Sequence, residues 1–432
     1  MKSIWQSNVK MPRFDKLDSD IKTDVAVIGG GISGLLTAYK LKERGIDCVV
    51  LEKGRICEST TGHTTGKITA GHGLVYDDII KRYGKSTAEG YYLSNMEALG
   101  EFRILAEKHP CDFEIRDNYV YSLKDRAKIE REIRALDSIG ADVEFCKQTK
   151  LPFEIAGAVK MPDQAQFNPL LFLSRIASEL KIYENTFAKE VTGDKIITDN
   201  GTVTAKNIVI ATHFPFINSH GLYFAKLYQS RSYVLALRDA IDVSGMYVDE
   251  QKEGLSFRNY GEYLILCGGG HRTGKKGRAY AELREIKEKY FPSAVEKYAF
   301  AAEDCMSLDG MPYVGAYSRG LRRVYVTSGF NKWGMSGSMV GATLICDAIT
   351  EEKNKYAEIF TPQRKILHPQ LFANIFESTV GLLTPRTKRC SHLGCALKWN
   401  KAEHTWDCPC HGSRFSKEGR VINNPAQKNI DM

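Results

Sequence analysis

The stretch Thr23-Asp-Val-Ala-Val-Ile28-Gly29-Gly30-Gly31-Ile32-Ser33-Gly34 decides the fold of the N-terminal part of the chain. Its apolar first half predicts a buried strand, and its second half fits G-x-G-x-x-G ahead of a helix predicted over 35–44. Gly29, Gly31 and Gly34 would let a pyrophosphate approach the backbone at the N-terminus of that helix, where free N–H groups favour an anion. The pattern predicts a Rossmann-like α/β unit that binds a dinucleotide.

An acidic residue follows at the distance that such a unit requires. The second predicted strand, Cys48-Val-Val-Leu-Glu52, ends in a carboxylate eighteen residues after Gly34, near the ~20-residue offset at which an acid reaches the ribose hydroxyls. Glu52 in place of an arginine also disfavours a 2′-phosphate. The hydroxyl-rich loop Ser59-Thr-Thr-Gly-His63-Thr64-Thr65-Gly66-Lys67 comes next and is suited to wrap a long dinucleotide, which favours FAD.

Two boxes of cysteine and histidine lie near the C-terminus, Cys390-Ser-His392-Leu-Gly-Cys395 and Cys408-Pro-Cys410-His411-Gly-Ser413. One cysteine and one histidine from each box give two thiolates and two imidazoles, the ligand set of a Rieske [2Fe-2S] cluster. The spacing allows two loops to hold one cluster. A structural zinc site is the alternative, although zinc fingers pair Cys with Cys and His with His. The predicted metal ligands are Cys390, His392, Cys408 and His411.

With the late segment Gly329-Phe-Asn-Lys-Trp333-Gly334-Met335, these motifs make the chain similar to the D-amino-acid-oxidase-like FAD oxidoreductases that are fused to a C-terminal Rieske domain. The resemblance covers nearly the whole chain. It implies an α/β fold with a Rossmann-like FAD-binding domain, a mixed α+β substrate domain and a small β-rich cluster subdomain. The implied cofactors are FAD and a [2Fe-2S] cluster. The implied FAD contacts are Gly29, Gly31, Gly34, Glu52, Thr64, Thr65, Gly329, Trp333, Gly334 and Met335.

The resemblance to Rieske proteins also assigns roles to residues that are not cluster ligands. Cysteines at the positions of Cys395 and Cys410 form a disulfide in those proteins, which is unusual in a reducing cytosol. Ser413 stands where they place a hydroxyl donor to a cluster sulfide, and Phe415 stands where higher-potential members carry a tyrosine. The loss of one donor is expected to lower the reduction potential.

A free-standing Rieske domain has several strands before its first ligand box. Here Pro385 lies only five residues before the first ligand, so the cluster region is shorter. We expect a minimal subdomain packed on the flavin domain; the alternative is a degenerate cluster. The predicted domains are a discontinuous FAD-binding domain (1–75, 155–225 and 305–352), a substrate domain (76–154 and 226–304), a linker with a short helix (353–383) and the minimal Rieske subdomain (384–432). Helical periodicity over 75–110 predicts core positions at Tyr91, Leu93, Leu99, Phe102 and Leu105.

Composition and charge narrow the class of protein. The 432 residues are 43% hydrophobic and 26% charged, as in an ordinary globular protein. The net charge of +8 is too diffuse to indicate nucleic acid as a partner. The N-terminal segment lacks the apolar run of a signal peptide, and no stretch reaches the ~18 apolar residues of a membrane span. The seven cysteines outside the boxes show no pairing pattern, and a cytoplasmic location is expected.

The expected activity is hydride removal from a small amine, amino acid or related donor by FAD, with electrons passed one at a time through the Rieske cluster. The basic run Arg386-Thr-Lys388-Arg389 offers a docking site for an acidic carrier such as ferredoxin. Alternatives are a redox sensor or electron-transfer module without turnover and a simple FAD oxidase with a structural zinc C-terminus. A Rieske oxygenase is less favoured, since the histidines do not indicate the mononuclear iron site that it needs.

The sequence does not identify the catalytic residues. Arg231, Tyr233 and Arg258 fall in the predicted substrate domain and are candidates to bind a carboxylate. His63 and His213 lie near predicted flavin loops and are candidates to orient the ring. A structural role fits each of these residues equally well or better.

Overall fold

The structure is a computed structural model that describes residues 2–251, 253–365, 367–385 and 387–431. The α-helices in chain order are α1 (Ile4–Asn8), α2 (Ile32–Glu43), α3 (Tyr76–Tyr83), α4 (Lys85–Lys108), α5 (Arg126–Ser138), α6 (Pro169–Ala177), α7 (Tyr223–Lys226), α8 (Tyr280–Tyr290), α9 (Gly334–Ile349), α10 (Ala357–Phe360) and α11 (Pro369–Leu383). A short 3-10 helix spans Thr60–His63. Of the helices in the described ranges, none is long and apolar enough to cross a membrane.

The strands of the described part form three sheets. In chain order they are β1 (Ile21–Ile28), β2 (Cys48–Leu51), β3 (Lys67–Ile68), β4 (Glu114–Ser122), β5 (Glu144–Cys146), β6 (Gly157–Gln166), β7 (Lys181–Tyr183), β8 (Ala188–Thr192), β9 (Lys195–Thr198), β10 (Thr202–Ile210), β11 (Leu227–Arg238), β12 (Met246–Asp249), β13 (Ser256–Tyr260), β14 (Tyr263–Arg272), β15 (Val295–Ser307), β16 (Tyr313–Ser318), β17 (Leu321–Ser328), β18 (Lys398–Asn400), β19 (Thr405–Asp407), β20 (Arg414–Phe415) and β21 (Val421–Asn423).

The first sheet carries the dinucleotide motif and has the order β16-β17-β10-β1-β2-β7, with β8 and β9 continuing from β10. Its central strand β1 pairs in parallel with β2 and β10, and residues 25–28 are buried because helices pack over this part of the sheet. The predicted strand, glycine loop and helix are confirmed, and the helix begins at Ile32, within the motif. The carboxyl end of β1 therefore leads directly to Gly29, at the sheet edge where dinucleotides bind.

The second sheet, largely antiparallel, has the order β15-β11-β14-β13-β12-β4-β6-β3, with β5 added on β6. Two of its strands, β3 and β6, come from segments that the boundaries drawn on the sequence assign to the FAD-binding domain. Strand β6 belongs here because it pairs with β4 along most of its length. A boundary at 155 thus separates two strands that are hydrogen-bonded neighbours, which the order of elements along the chain does not reveal.

Helix α4 supplies much of the core between these layers. The core positions predicted at Tyr91, Leu99, Phe102 and Leu105 are buried. The prediction for Leu93 is wrong, since its side chain is 37% exposed. Two residues correspond to about 200° around a helix, so Leu93 lies on nearly the opposite side from Tyr91.

The third sheet, β18-β19-β20-β21, belongs to the C-terminal subdomain and is antiparallel. The subdomain is bound to the second sheet by hydrogen bonds from side chains of β11 and β14. Gln229 Nε2 on β11 donates to the carbonyl oxygens of His411 and Asn424, both at 2.9 Å. Arg272 on β14 donates to the carbonyls of Pro409 and Cys410, also at 2.9 Å. The subdomain therefore has a fixed position on the larger body.

Candidate active site and cluster site

A cavity of about 290 Å³ lies where the first two sheets meet, and its walls come from both of them. Most of the residues predicted to contact FAD line it. These are Gly29, Gly31, Glu52, Thr64, Thr65, Trp333, Gly334 and Met335. Gly34 and Gly329, the other two predicted FAD contacts, are not part of the lining.

Gly29 and Gly34 of the loop must each be glycine, for different steric reasons. Gly29 has a φ of +114°, and a Cβ there would lie 2.4 Å from the carbonyl oxygen of Ala211. A Cβ on Gly34 would lie 1.9 Å from the carbonyl oxygen of Gly29. Gly34 therefore allows α2 to approach the loop closely, which is the packing role of the third glycine in this motif.

Glu52 is held at the mouth of the loop by backbone donors. Its carboxylate accepts hydrogen bonds from Gly30 N at 2.8 Å and from Gly54 N at 2.9 Å. Burial raises the pKa of Glu52, and the two N–H donors only partly offset this rise. The carboxylate lines the cavity, at the position where the motif places the ribose hydroxyls.

The segment 329–335 reaches the cavity, and its backbone is strained at two residues. Asn331 and Lys332 have φ values of +53° and +74°, a region that residues with a Cβ rarely adopt. The Asn331 side chain fixes this turn, because Oδ1 accepts from Ser307 N at 2.9 Å and Nδ2 donates to Gly329 O at 2.6 Å. As a result Lys332 and Trp333 line the cavity.

Charged groups of both signs face the cavity away from the glycine loop. Lys67 is buried, and its ammonium contacts the hydroxyl of Ser256. Burial lowers the pKa of Lys67 to about 7. On β15, at the other end of the strand order of the second sheet, burial raises the pKa of Asp304, although nearby Lys332 lowers it in part. The cavity thus presents a lysine whose proton is held weakly and a carboxyl group whose pKa is raised by burial.

The carboxylate-binding candidates from the sequence lie elsewhere. Arg231 pairs with Glu403, Tyr233 bonds to His271, and Arg258 donates to the carbonyl oxygens of Gly66 and Phe167. All three arginine and tyrosine candidates are therefore structural.

The two candidate histidines do line the cavity. His63 Nδ1 lies 2.8 Å from the carbonyl oxygen of Ser59. Burial lowers the pKa of His213 to about 4, so its ring is neutral. His213 also has a φ of +66°, another strained residue at the cavity wall.

Sequence reasoning missed a residue that supports the cavity wall. The ring of His72 stacks on Trp333 with centroids 4.7 Å apart, and its Nδ1 lies 2.7 Å from the hydroxyl of Tyr91. Burial lowers the pKa of His72 to about 3. In the sequence, His72 is marked only by its position soon after the hydroxyl-rich loop. Its stacking partner, Trp333, lies some 260 residues further along the chain.

The cavity fits FAD on two structural grounds. The N-termini of α2 and α9 both reach it, through Gly31 and Gly334, and helix N-termini favour the negative groups of a dinucleotide. The hydroxyl of Ser338 on α9 lines the cavity, is buried, and has no hydrogen-bond partner among the described residues. A buried polar group of this kind is accounted for when a polar ligand binds there.

The two cysteine–histidine boxes meet in the C-terminal subdomain. The rings of His392 and His411 have centroids 4.9 Å apart and are perpendicular. Each has a buried Nδ1 without a hydrogen-bond partner in the described part of the chain. Burial lowers the pKa to about 4 for His392 and to about 3 for His411. Both imidazoles are therefore neutral with an open nitrogen, which is the form that ligates a metal.

The four box cysteines are buried together. The sulfur atoms of Cys395, Cys408 and Cys410 lie within 4.8 Å of one another. No bond joins Cys395 to Cys410 in the structure, so their disulfide stays a prediction. The Ser413 hydroxyl, which accepts from Ala426 N at 3.0 Å, also donates a hydrogen bond to the sulfur of Cys390. Buried cysteines from both boxes, two imidazoles with an open nitrogen and a hydroxyl donor fit a Rieske cluster.

The flavin cavity and the cluster site are neighbours. Residues of the C-terminal subdomain, including Asn424 and Gln427, form part of the cavity wall. His213 lines the cavity, and the next residue, Phe214, places its ring centroid 6.4 Å from that of His392 and 6.2 Å from that of His411. One peptide unit therefore connects the two sites.

A dinucleotide cavity beside a two-cysteine, two-histidine site defines a flavin-dependent oxidoreductase with an iron–sulfur domain. The chain belongs to the FAD dependent oxidoreductase family, whose sequence model matches residues 24–348, and residues 374–432 match the Rieske [2Fe-2S] domain. The resemblance inferred from the motifs is thus confirmed, as are the α/β fold class and the two cofactors, FAD and a [2Fe-2S] cluster.

Three comparisons show the extent of the likeness. A putative Rieske 2Fe-2S iron–sulfur protein of Bacillus subtilis is 33% identical over 99% of this chain and 96% of its own length. The cytochrome b6-f complex iron–sulfur subunit of Arabidopsis thaliana is 57% identical over 43 residues, 10% of this chain and 19% of that protein. Glycine oxidase from Geobacillus kaustophilus has the same fold, with a TM-score of 0.67 and 17% identity over 80% of this chain and 99% of that one.

Proposed function

We propose that this oxidoreductase oxidises a small amine or amino acid in the cavity and passes the electrons singly to the Rieske site and then to an acceptor. FAD supplies the conversion from two-electron oxidation to one-electron steps, and a [2Fe-2S] cluster accepts one electron at a time. The observation that carries the proposal is the adjacency of the cavity residue His213 and the cluster-facing residue Phe214.

The connecting segment is held firmly. Phe214 is fully buried. Asn424, from the cluster subdomain, donates to the carbonyl oxygens of Thr212 at 2.5 Å and Phe214 at 2.8 Å. The contact between the two sites is thus fixed by hydrogen bonds from the subdomain itself, which supports electron transfer within one chain rather than through a moving domain.

The charges in the cavity support an amino acid as the substrate. Lys67 offers N–H donors for a substrate carboxylate, and the Asp304 carboxyl group, which lies on another wall, is suited to accept a hydrogen bond from an amine. In its neutral form, Lys67 is also able to take the proton that an ammonium substrate must lose before hydride transfer. Glycine oxidase, one of the proteins with this fold, is named for such a substrate.

The acceptor is proposed to be a ferredoxin-like or other electron carrier in a cytoplasmic setting. The basic run suggested for its docking begins at Arg386, which lies outside the described residues. Lys388 lies over the ring of Trp406 at 5.3 Å, and Arg389 donates to the carbonyl oxygens of Gly381 and Thr384. Both therefore have structural roles besides any contact with a carrier.

The cofactor content is the first measurement. Anaerobic visible and EPR spectra before and after dithionite, with iron, sulfide and zinc analysis, should show flavin bands and the signal of a His-ligated [2Fe-2S] cluster. A panel of amines and amino acids should then reduce the flavin. Zinc in place of iron would refute the electron-transfer step. Flavin that no donor on the panel reduces would favour a sensor.

The connection itself is tested with matched phenylalanine variants. Phe214→Leu removes the ring between the sites, and we expect slower reduction of the cluster after rapid photoreduction of the flavin, with both reduction potentials unchanged. Phe224→Leu is the control, because its ring also contacts His411, at 6.3 Å, but lies away from the cavity lining. Equal rates in the two variants would refute a path through residues 213 and 214.

A further inference from the structure

Helix α11 exposes its large apolar side chains and buries a polar one. Its large apolar side chains face solvent: Phe372 is 60% exposed, Phe376 66% and Leu383 78%. Spacings of four and seven residues place these three on one face of the helix, and further exposed apolar residues flank them. The apolar face, as we call it, consists of Phe372, Ile375, Phe376, Val380 and Leu383.

The opposite face of α11 packs on the protein through polar and small groups. Asn374 is buried, accepts from Arg272 Nη1 at 2.9 Å and donates to the carbonyl oxygen of Ala225 at 3.1 Å. A Cβ on Gly381 would lie 2.6 Å from the sulfur of Cys410, so the helix lies directly against a box cysteine. These specific contacts fix the orientation of α11 and leave the apolar face outward.

Basic side chains border α11 along its length. Arg82 contacts His368 at the N-cap. Lys275 pairs with Glu377 of α11 at 2.6 Å in the middle of the helix, so the net positive charge of the border comes from the residues at the two ends of the helix. Arg389 binds carbonyl oxygens at the C-terminal end. Lys365 is exposed a few residues before the helix. An exposed apolar face that includes two phenylalanines, with a basic border, is the arrangement of helices that lie in the plane of an anionic membrane surface.

We propose that α11 is an interfacial helix that binds the chain to an anionic lipid bilayer. The apolar face enters the boundary between headgroups and acyl chains, while the basic border contacts the anionic headgroups. A second copy of the chain fits less well, because a symmetric contact through this face would bring two basic borders together. Binding in this way places the cluster subdomain at the membrane surface, and it does not depend on the proposed substrate.

Vesicle flotation of the holoprotein tests the proposal. The probes are phosphatidylglycerol/phosphatidylcholine vesicles and vesicles of phosphatidylcholine alone. We expect binding to the anionic vesicles that weakens with salt. The double variant Phe372→Ser/Phe376→Ser should lower this binding by roughly a hundredfold, since it removes two large apolar groups from the contact.

The matched control is Ile104→Ser/Ile115→Ser, which alters exposed apolar residues on other elements and should bind as the unchanged protein does. Flavin and cluster spectra verify folding of every variant. Absence of binding to anionic vesicles, or equal binding by the double variant, would overturn the proposal. Self-association that the double variant abolishes, measured by sedimentation velocity without vesicle binding, would assign the face to a second copy and would equally overturn it.

Discussion

Replacing Arg231 by methionine should weaken the attachment of the cluster subdomain. Arg231 lies on β11 and pairs with Glu403 of the cluster subdomain, and their side chains are only 3% and 13% exposed. Arg231 Nε donates to Glu403 Oε2 at 3.1 Å, and its Nη2 contacts the other carboxylate oxygen. Methionine keeps much of the side-chain volume but leaves the buried carboxylate with one partner fewer.

The expected loss of unfolding free energy depends on the partner that Glu403 keeps. Breaking a buried ion pair by removing one partner typically costs about 3–5 kcal/mol. Arg414 still binds Glu403 at 3.0 Å, so we expect the lower end, about 3 kcal/mol. Burial alone would raise the pKa of Glu403, but Arg231 and Arg414 outweigh it and lower the pKa. A lowered folded-state pKa contributes stability at neutral pH that is lost as the pH falls below the unfolded value near 4.5.

Urea unfolding followed by visible cluster absorbance and by tryptophan fluorescence measures this cost, because Trp399 and Trp406 both lie in the subdomain. Arg284→Met is the control. Arg284 makes a comparable two-point contact with Glu296, but the side chains are 54% and 30% exposed, and such surface pairs contribute about 0–1 kcal/mol. The reasoning fails if both variants lose the same free energy of unfolding, or if the difference persists unchanged at pH 3.

Two further predictions concern the sites themselves. Burial lowers the pKa of Lys67 to about 7, so stopped-flow flavin reduction by an amino acid should increase through pH 7 as the lysine becomes neutral. Lys67→Met should remove this pH dependence and lower the rate about a hundredfold, and an unchanged profile would exclude Lys67 as the proton acceptor. Ser413→Ala removes a hydroxyl donor beside Cys390; a hydrogen bond stronger by about 1.4 kcal/mol in the reduced state corresponds to roughly 60 mV for one electron. EPR-monitored redox titration should show the potential lowered by this order, and an equal or higher potential would contradict the assigned role.

The local motifs were readable because their chemistry needs particular residue types in contiguous segments. A pyrophosphate loop requires glycine at the positions of Gly29 and Gly34, where a Cβ would meet carbonyl oxygens. A mixed thiolate and imidazole cluster requires one cysteine and one histidine from each box. These constraints act within short contiguous motifs, so the sequence by itself determined the FAD-binding strand, loop and helix and the family to which the chain belongs.

Tertiary structure alone decided which groups meet across the chain. Lys67 and Asp304 share one cavity, and Phe214 meets the histidines of a subdomain that begins more than 150 residues later. The side that α11 buries is likewise set by the contacts of Asn374 and Gly381 with distant residues, against its hydrophobic pattern. The burial of a side chain, and therefore its charge state, depends on its neighbours. Sheet pairing and domain packing bring these neighbours together, and the local spacing of residues does not encode them.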